Sequence, residues 1–402
     1  MAPDIEAEFD RWVDQAVAEA MQPHISDFST LVERLPGIYP VEVLASLKRL
    51  GEKHAQVNGM AAALTHSAAV AGQTRSSLGN RTKLLPPHPL DYEWRFSRTA
   101  VDALVEASHV CAEPGGPIAL VGTPTIAASP EALFGRRAVT YFGVDTDALR
   151  ALGPPAWIDT LFNVNLLVRP SDAGTYSIVI MDPPWYEEYV RRFLWFAEKI
   201  TRIGGTLLLA MPPNGTRPGI VEENARLLAW CQELGLEREA VVLARLPYDM
   251  PPFERNALRA MNIVNVHDTW RKADLWRLRK VRSMLLAWPG DVASTPWSEH
   301  RFGPVRLRVN CDAPSNGEDP RLRSLIENDV LPTVSRRDPR RNEARVWTTG
   351  NRIFACDAPK MLRAILEDWH HERDTVELSR DIKREIRGQI DVIVEKEARE
   401  LV

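Results

Sequence analysis

The chain has 402 residues, of which 45% are hydrophobic and 26% charged, a composition that excludes a disordered chain and can form a sizeable core. Fifty Lys and Arg against 54 Asp and Glu give a formal net charge of -4, which excludes a protein that coats nucleic acid through overall positive charge. Four cysteines without a CxxC pair exclude a zinc ribbon and argue against a disulfide framework. We therefore expect a cytoplasmic protein. The absence of a signal-like start or a long apolar run predicts no membrane contact.

The first 85 residues are predicted to form a helical N-terminal region. Apolar residues follow helical spacing over 5–20 and again over 41–50, and a third helix with small side chains is predicted over 54–72. Residues 75–83 are polar and basic, and the proline pair that follows them is typical of a linker or loop.

From residue 86 to 290 the pattern changes to short apolar runs separated by helical stretches. The predicted strands lie at 117–121, 138–143, 162–168, 177–181, 205–211, 240–246 and 282–288, and the predicted helices at 130–136, 187–202 and 219–234. Short buried strands that alternate with helices predict an α/β domain with a parallel sheet covered on both faces. Residues 291–402 contain Pro- and Arg-rich segments and end on a long helical stripe, which predicts a third, mixed region.

The most informative segment is Asp182-Pro183-Pro184-Trp185, which directly follows a predicted strand. It therefore lies at a carboxyl strand end, where open α/β sheets bind ligands. Two consecutive prolines fix a rigid turn that presents the Asp182 carboxylate and the Pro183 carbonyl as two acceptors. Two converging acceptors suit the hydrogens of an NH2 group, and Trp185 offers a flat face for a planar base. The alternative is a structural turn with its Trp in the core.

With these residues the chain resembles the class I S-adenosylmethionine-dependent methyltransferases that modify amines. Their motif, (D/N)PP(Y/F/W), follows the fourth strand, and its Asp form is typical of N6-adenine methyltransferases and of relatives that methylate protein lysine. The turn after the first predicted strand, Gly122-Thr123-Pro124-Thr125, is most similar to that of the branch of probable N6-adenine and elongation-factor lysine methyltransferases, where this turn is rich in Ser, Thr and Pro and the catalytic motif is DPPF or DPPY. The resemblance implies a seven-stranded Rossmann-like methyltransferase sheet with a helical N-terminal extension and a mixed α+β C-terminal addition. It also implies catalysis by residues 182–185 and S-adenosyl-L-methionine as the cofactor.

In that family the first strand ends in a turn beneath the cofactor and the second in an acidic residue for the ribose. The matching residues here are Gly122, Thr123 and Pro124, followed by Asp145. Asp145 lies 23 residues after Gly122, close to the roughly 20-residue spacing of a nucleotide-binding βαβ unit. Only one glycine of the expected GxGxG turn is present, so the prediction of a cofactor site depends on the spacing between Gly122 and Asp145.

Two further segments are predicted to bind the acceptor substrate. The residues are Tyr248, Phe253, Trp270 and Arg271 near the end of the sheet, and Arg336, Arg337, Arg340 and Arg341 in the C-terminal region. Their positive charge, with the rest of 271–280, would suit a phosphate backbone. The alternatives are a solvated basic helix for the first segment and Arg–acid pairs that dock the C-terminal region for the second. Scattered histidines give no reason to assign a metal.

The sequence therefore predicts methylation of an exocyclic amine, with adenine N6 in DNA or RNA as the favoured acceptor and nucleic acid as the partner. Two alternatives stay open. In the first, the chemistry is the same but the acceptor is a protein lysine or a small-molecule amine. In the second, the chain is a catalytically inactive methyltransferase fold that binds nucleic acid or acts as a scaffold. The oligomeric state and a protein partner also stay open.

Overall fold

The computed structural model describes residues 4–401, except 23–24, 54–57, 71–83, 112–114, 130–132, 144–148, 150–157, 159, 164–172, 292–296 and 313–316. The chain divides into two compact units. The first unit consists of Met1–Leu84, Trp94–Met250 and Val264–Val292, and the second of Leu85–Glu93, Pro251–Ile263 and Ala293–Val402. The predicted basic linker at 75–83 lies outside the described residues.

The N-terminal region of the first unit is helical, as predicted. Its helices are α1 (Ile5–Ala20), α2 (Phe28–Glu33), α3 (Pro40–Lys53) and α4 (Asn58–Ala69). The Asp4 and Asp27 carboxylates accept hydrogen bonds from backbone amides three residues on, which caps α1 and α2.

The rest of the first unit is a mixed sheet with helices. The strands are β1 (Arg95–Phe96), β2 (Ile118–Val121), β3 (Val139–Gly143), β4 (Thr160–Asn163), β5 (Tyr176–Met181), β6 (Thr201–Met211), β7 (Leu236–Asp249) and β8 (Lys272–Lys280). The described helices that follow α4 in this unit are α5 (Arg98–Cys111), α6 (Pro124–Ala127), α7 (Glu187–Ile200) and α8 (Ile220–Glu233). In space the strands run β1-β7-β8-β6-β5-β2-β3-β4.

This topology contains a reversal of strand order at the middle of the sheet. Strands β2 to β6 pair in parallel, and β8 pairs antiparallel to both β6 and β7. Because β2 lies between β3 and β5, the strand order reverses there, and open α/β sheets bind ligands at such a switch point. Seven strands form the predicted α/β sheet, and the two-residue β1 adds an edge to it.

One strand prediction is wrong. The last strand is β8, not 282–288, and residues 272–280 form neither a helix nor a solvated basic surface. Five charged residues interrupt the apolar pattern of this strand. One of them, Lys280, is nevertheless buried, and its side chain donates to the backbone carbonyls of Glu198 and Thr201. The apolar run that follows leaves the sheet and packs on α7, where the Trp195 indole donates to the Leu286 carbonyl at 3.0 Å.

The second unit contains a separate antiparallel sheet and helices, which confirms the predicted mixed addition. Its strands are β9 (Trp297–Phe302), β10 (Val305–Asn310), β11 (Arg323–Ser324), β12 (Val346–Thr348) and β13 (Ile353–Ala355), in the order β11-β13-β12-β10-β9. Its helices are α9 (Pro252–Ala260), α10 (Pro359–His370) and α11 (Arg380–Glu400). Apolar faces of α10 and α11 form a core with β10. Among the described helices, none is long and apolar enough to cross a membrane.

Candidate active site

Asp182 lies directly after β5, at the switch point of the sheet. Its backbone amide donates to the Val121 carbonyl at 3.2 Å, which ties the turn to the end of β2. The two prolines end the strand, and Tyr186 donates to the Pro184 carbonyl at 2.7 Å before α7 begins at Glu187. The predicted catalytic turn is thus fixed by backbone hydrogen bonds on both sides.

The Asp182 side chain is held by a tyrosine that lies 66 residues later in the sequence. The Tyr248 hydroxyl donates to Asp182 Oδ1 at 2.7 Å. Burial raises the pKa of Tyr248 well above its ordinary value, and the Asp182 charge adds to that shift. The phenol therefore stays a neutral donor at physiological pH. The sequence predicts substrate binding for Tyr248, and no spacing rule connects it to a carboxylate 66 residues away.

Trp185 and Arg271 contact each other. The Arg271 guanidinium lies 4.3 Å from the ring centre of Trp185 and 4.3 Å from that of Trp94. Trp185 is 8% exposed, and its ring forms a T-shaped contact with the Tyr248 ring at a centre distance of 5.7 Å. The cation–π contacts therefore cover a ring face that the sequence analysis assigns to a planar base.

The aromatic cluster continues into the N-terminal helical region. Trp270 is 3% exposed and packs edge-on against Trp94 at 6.0 Å and against Tyr39 at 5.5 Å. Among the described residues, none accepts a hydrogen bond from the Trp270 indole nitrogen. Sequence reasoning missed Tyr39 and Trp94, because each is a lone aromatic residue outside any motif.

The predicted cofactor turn follows β2 and touches the catalytic turn. Gly122 has φ +62°, and a side chain there would begin 3.0 Å from the Phe193 ring and 3.3 Å from the Asp182 carbonyl oxygen. Glycine is therefore required by both conformation and space.

The neighbours of Gly122 are buried. Thr123 is 2% exposed, and its hydroxyl has no hydrogen-bond partner within the described part of the chain. Pro124 begins α6. Because an unsatisfied buried hydroxyl is costly, this turn fits a polar ligand atom. Asp145, the predicted ribose-binding residue, lies outside the described residues.

The other predicted substrate-binding residues belong to the second unit. Phe253 is buried in α9. The Arg340 guanidinium pairs with Asp338 at 2.5 Å, and Arg341 lies 4.4 Å from the ring centre of Trp347. Arg336 and Arg337 are exposed, although Arg336 also lies 5.5 Å from the Tyr92 ring centre. The contacts of Arg340 and Arg341 therefore join residues within the C-terminal region to one another.

Comparisons with known proteins identify the fold. No family model matches the chain, and no curated protein matches it. A branched-chain polyamine synthase mutein from Thermus thermophilus, in complex with N4-aminopropylspermidine and 5'-methylthioadenosine, matches 71% of this chain and 93% of its own. The TM-score of that match is 0.51 at 15% identity. A 16S rRNA N2 G1207 methyltransferase from T. thermophilus in complex with AdoMet and guanosine matches 57% of this chain and 52% of its own, with a TM-score of 0.28 at 19% identity. The first likeness confirms the Rossmann-like methyltransferase fold.

Proposed function

We propose that the protein transfers a methyl group from S-adenosyl-L-methionine to the nitrogen of an amine. The observation that supports this most is the position of Asp182. Its carboxylate lies at the switch point of the sheet, one strand from the Gly122 turn, and is fixed by the Tyr248 hydroxyl at 2.7 Å.

The cofactor would be held by the turn after β2 and by the acidic residue after β3. Gly122 leaves room beside the catalytic turn, Thr123 offers a buried hydroxyl, and Asp145 would accept from the ribose hydroxyls. When bound, the sulfonium supplies an electrophilic methyl carbon and leaves as a neutral thioether.

Asp182 and the Pro183 carbonyl would orient the acceptor. Each accepts one N–H of the amine, so the nitrogen lone pair points away from both of them and toward the electrophile. The amine reacts in its neutral form, so an ammonium acceptor first loses one proton to solvent. The N–C bond then forms as the C–S bond breaks, and the positively charged product amine loses a further proton to solvent. Asp182 stabilises the positive charge that develops on the nitrogen.

The contacts of Trp185 favour a small-molecule amine as the acceptor. A base that stacks on the face occupied by Arg271 would have to displace a guanidinium held between two indole rings. An aliphatic amine needs no ring face. The polyamine synthase with the same fold carries an aliphatic polyamine in its complex, which agrees with this choice.

Adenine N6 in a nucleic acid is the second candidate, and the exposed Arg336 and Arg337 favour it. The experiment that separates the two supplies tritium-labelled S-adenosyl-L-methionine with polyamines, with a lysine-rich protein and with single-stranded oligonucleotides. We expect label in the small amines. Label in the oligonucleotide would assign the second candidate. Its binding should then weaken with salt, with a log–log slope of about -0.7 per phosphate contact.

Thr123→Val is expected to weaken S-adenosyl-L-methionine binding by about threefold to tenfold, because one hydrogen bond to the cofactor is lost. The substitution keeps the shape of the side chain and removes a buried hydroxyl that has no described protein partner, so the free energy of unfolding should not fall. Calorimetric titration and thermal unfolding measure the two effects, and Thr123→Ser, which keeps the hydroxyl, is the control. A loss of stability with unchanged affinity would assign Thr123 a structural role.

A further inference from the structure

The ring of Tyr248 is fixed on several sides. It is 2% exposed and stacks on Phe96 with ring centres 4.9 Å apart and planes 19° from parallel. The edges of Trp94 and Trp185 pack against it at 6.4 Å and 5.7 Å. This packing fixes the position of the Tyr248 hydroxyl, which donates to Asp182 Oδ1.

Strand β7, which carries Tyr248, contains a bulge. In the sheet β7 is separated from β5 by β8 and β6, and the Tyr248 side chain nevertheless reaches Asp182 at the end of β5. The pairing of β7 with β8 shifts register between Val242 and Leu246, where Ala244 has φ +49°. The buried Asp274 carboxylate accepts from the Ala244 amide at 2.8 Å and stabilises this uncommon conformation. Bulges beside active sites re-aim side chains, and this one lies four residues before Tyr248.

We propose that Tyr248 is a positioning residue for amine alkylation: its hydroxyl locks the Asp182 carboxylate so that the amine always meets it in the same orientation. This inference rests on the proposed function. Tyr248 does not touch the reacting atoms. It acts through Asp182, by removing the rotational freedom of a carboxylate at the end of a short side chain.

Two charged groups face the Tyr248 hydroxyl. The Asp182 carboxylate raises the pKa of the phenol, the Arg271 guanidinium lowers it, and burial raises it most. Since the net effect keeps the phenol protonated, Tyr248 donates to Asp182 throughout the pH range of an activity assay. The ionised form of Asp182 is the form that this hydrogen bond stabilises.

The test is Tyr248→Phe, assayed for methyl transfer to the small amine identified above. We expect kcat to fall about tenfold, the lower end for a hydrogen bond to a charged group, with cofactor affinity unchanged. The acidic limb of the pH–rate profile should move upward by about one pH unit, because the ionised carboxylate loses a donor. Tyr176→Phe is the control, since Tyr176 is a buried tyrosine at the opposite end of β5, and it should leave the profile in place.

A second variant covers the case in which Tyr248→Phe does not fold. Tyr248→3-fluorotyrosine keeps the hydroxyl and makes it a stronger donor, so the acidic limb should move downward. Transfer by Tyr248→Phe with the wild-type kcat and the wild-type profile would overturn the positioning role and leave the proposed function intact. Where Tyr248→Phe does not fold, a wild-type profile of the fluorotyrosine variant alone has the same consequence. If the folded wild-type protein neither binds S-adenosyl-L-methionine nor transfers its methyl group, the proposed function fails, and this inference fails with it.

Discussion

Asp182→Ala is expected to lower the rate of methyl transfer by about 100-fold or more, while the affinity for S-adenosyl-L-methionine stays within a few fold. In the proposed mechanism Asp182 orients the amine and stabilises the positive charge that develops on it, so its loss should raise the energy of the transition state. The proposed cofactor turn after β2 keeps its own residues, so binding of the donor should continue.

Single-turnover kinetics and calorimetric titration measure these two quantities separately. Asp182→Asn is the matched control, because the amide oxygen can still accept the Tyr248 hydroxyl and preserve the local packing. It should retain the fold and lose most of the rate, since the negative charge is gone. An Asp182→Ala protein that folds and keeps the wild-type rate would refute the catalytic role.

Arg352→Ala is expected to destabilise the second unit by about 3–5 kcal/mol, the usual cost of breaking a buried ion pair. Arg352 is 2% exposed and donates to Glu397 at 3.2 Å and to Glu400 at 2.6 Å. Glu397 is fully buried and also accepts from the Gly350 amide at 2.9 Å. Without the guanidinium, the Glu397 charge stays buried and loses its cationic partner.

The loss should depend on pH, because burial raises the pKa of Glu397 above its ordinary value. A carboxyl whose pKa is raised by folding favours the folded state at low pH, and this contribution is lost as pH rises through the folded-state pKa. The destabilisation should therefore be larger at neutral than at acidic pH. Chemical unfolding at several pH values measures it. The control is Arg345→Ala, whose guanidinium donates to the Asn342 and Ala344 carbonyls. An equal, small loss in both variants would contradict the prediction.

The sequence predicts the framework of the sheet and the proline turn after β5, because both depend on local patterns. Buried strands such as β2 and β5 are mostly apolar in sequence, and the proline pair after β5 marks the end of that strand. Strand β8 was missed because its charged residues are paired only in the folded chain. Arg277, for example, meets Glu239 at 3.0 Å across the sheet, and that partner lies 38 residues away in sequence.

The environment of the site could not be predicted in the same way. The contact between Tyr248 and Asp182 joins residues that are 66 positions apart in sequence and lie on strands that do not pair, so no local pattern predicts it. The sequence neighbours of Arg271 are polar or basic, so the sequence predicts a solvated side chain that binds phosphate. The fold instead places its guanidinium between Trp94 and Trp185. Motifs thus identify candidate chemical groups, and tertiary packing decides what each group touches.

The most direct test of the account is the fate of the donor itself. The purified wild-type and Asp182→Ala proteins are incubated with S-adenosyl-L-methionine and a set of polyamines. Mass spectrometry then measures the masses and amounts of the adenosyl product and of the amines. We predict that the wild-type protein forms S-adenosylhomocysteine and an amine heavier by one methylene, and that the variant forms about 100-fold less of each. Unchanged donor and unchanged amines with the folded wild-type protein, or equal product from both proteins, would contradict methyl transfer at Asp182.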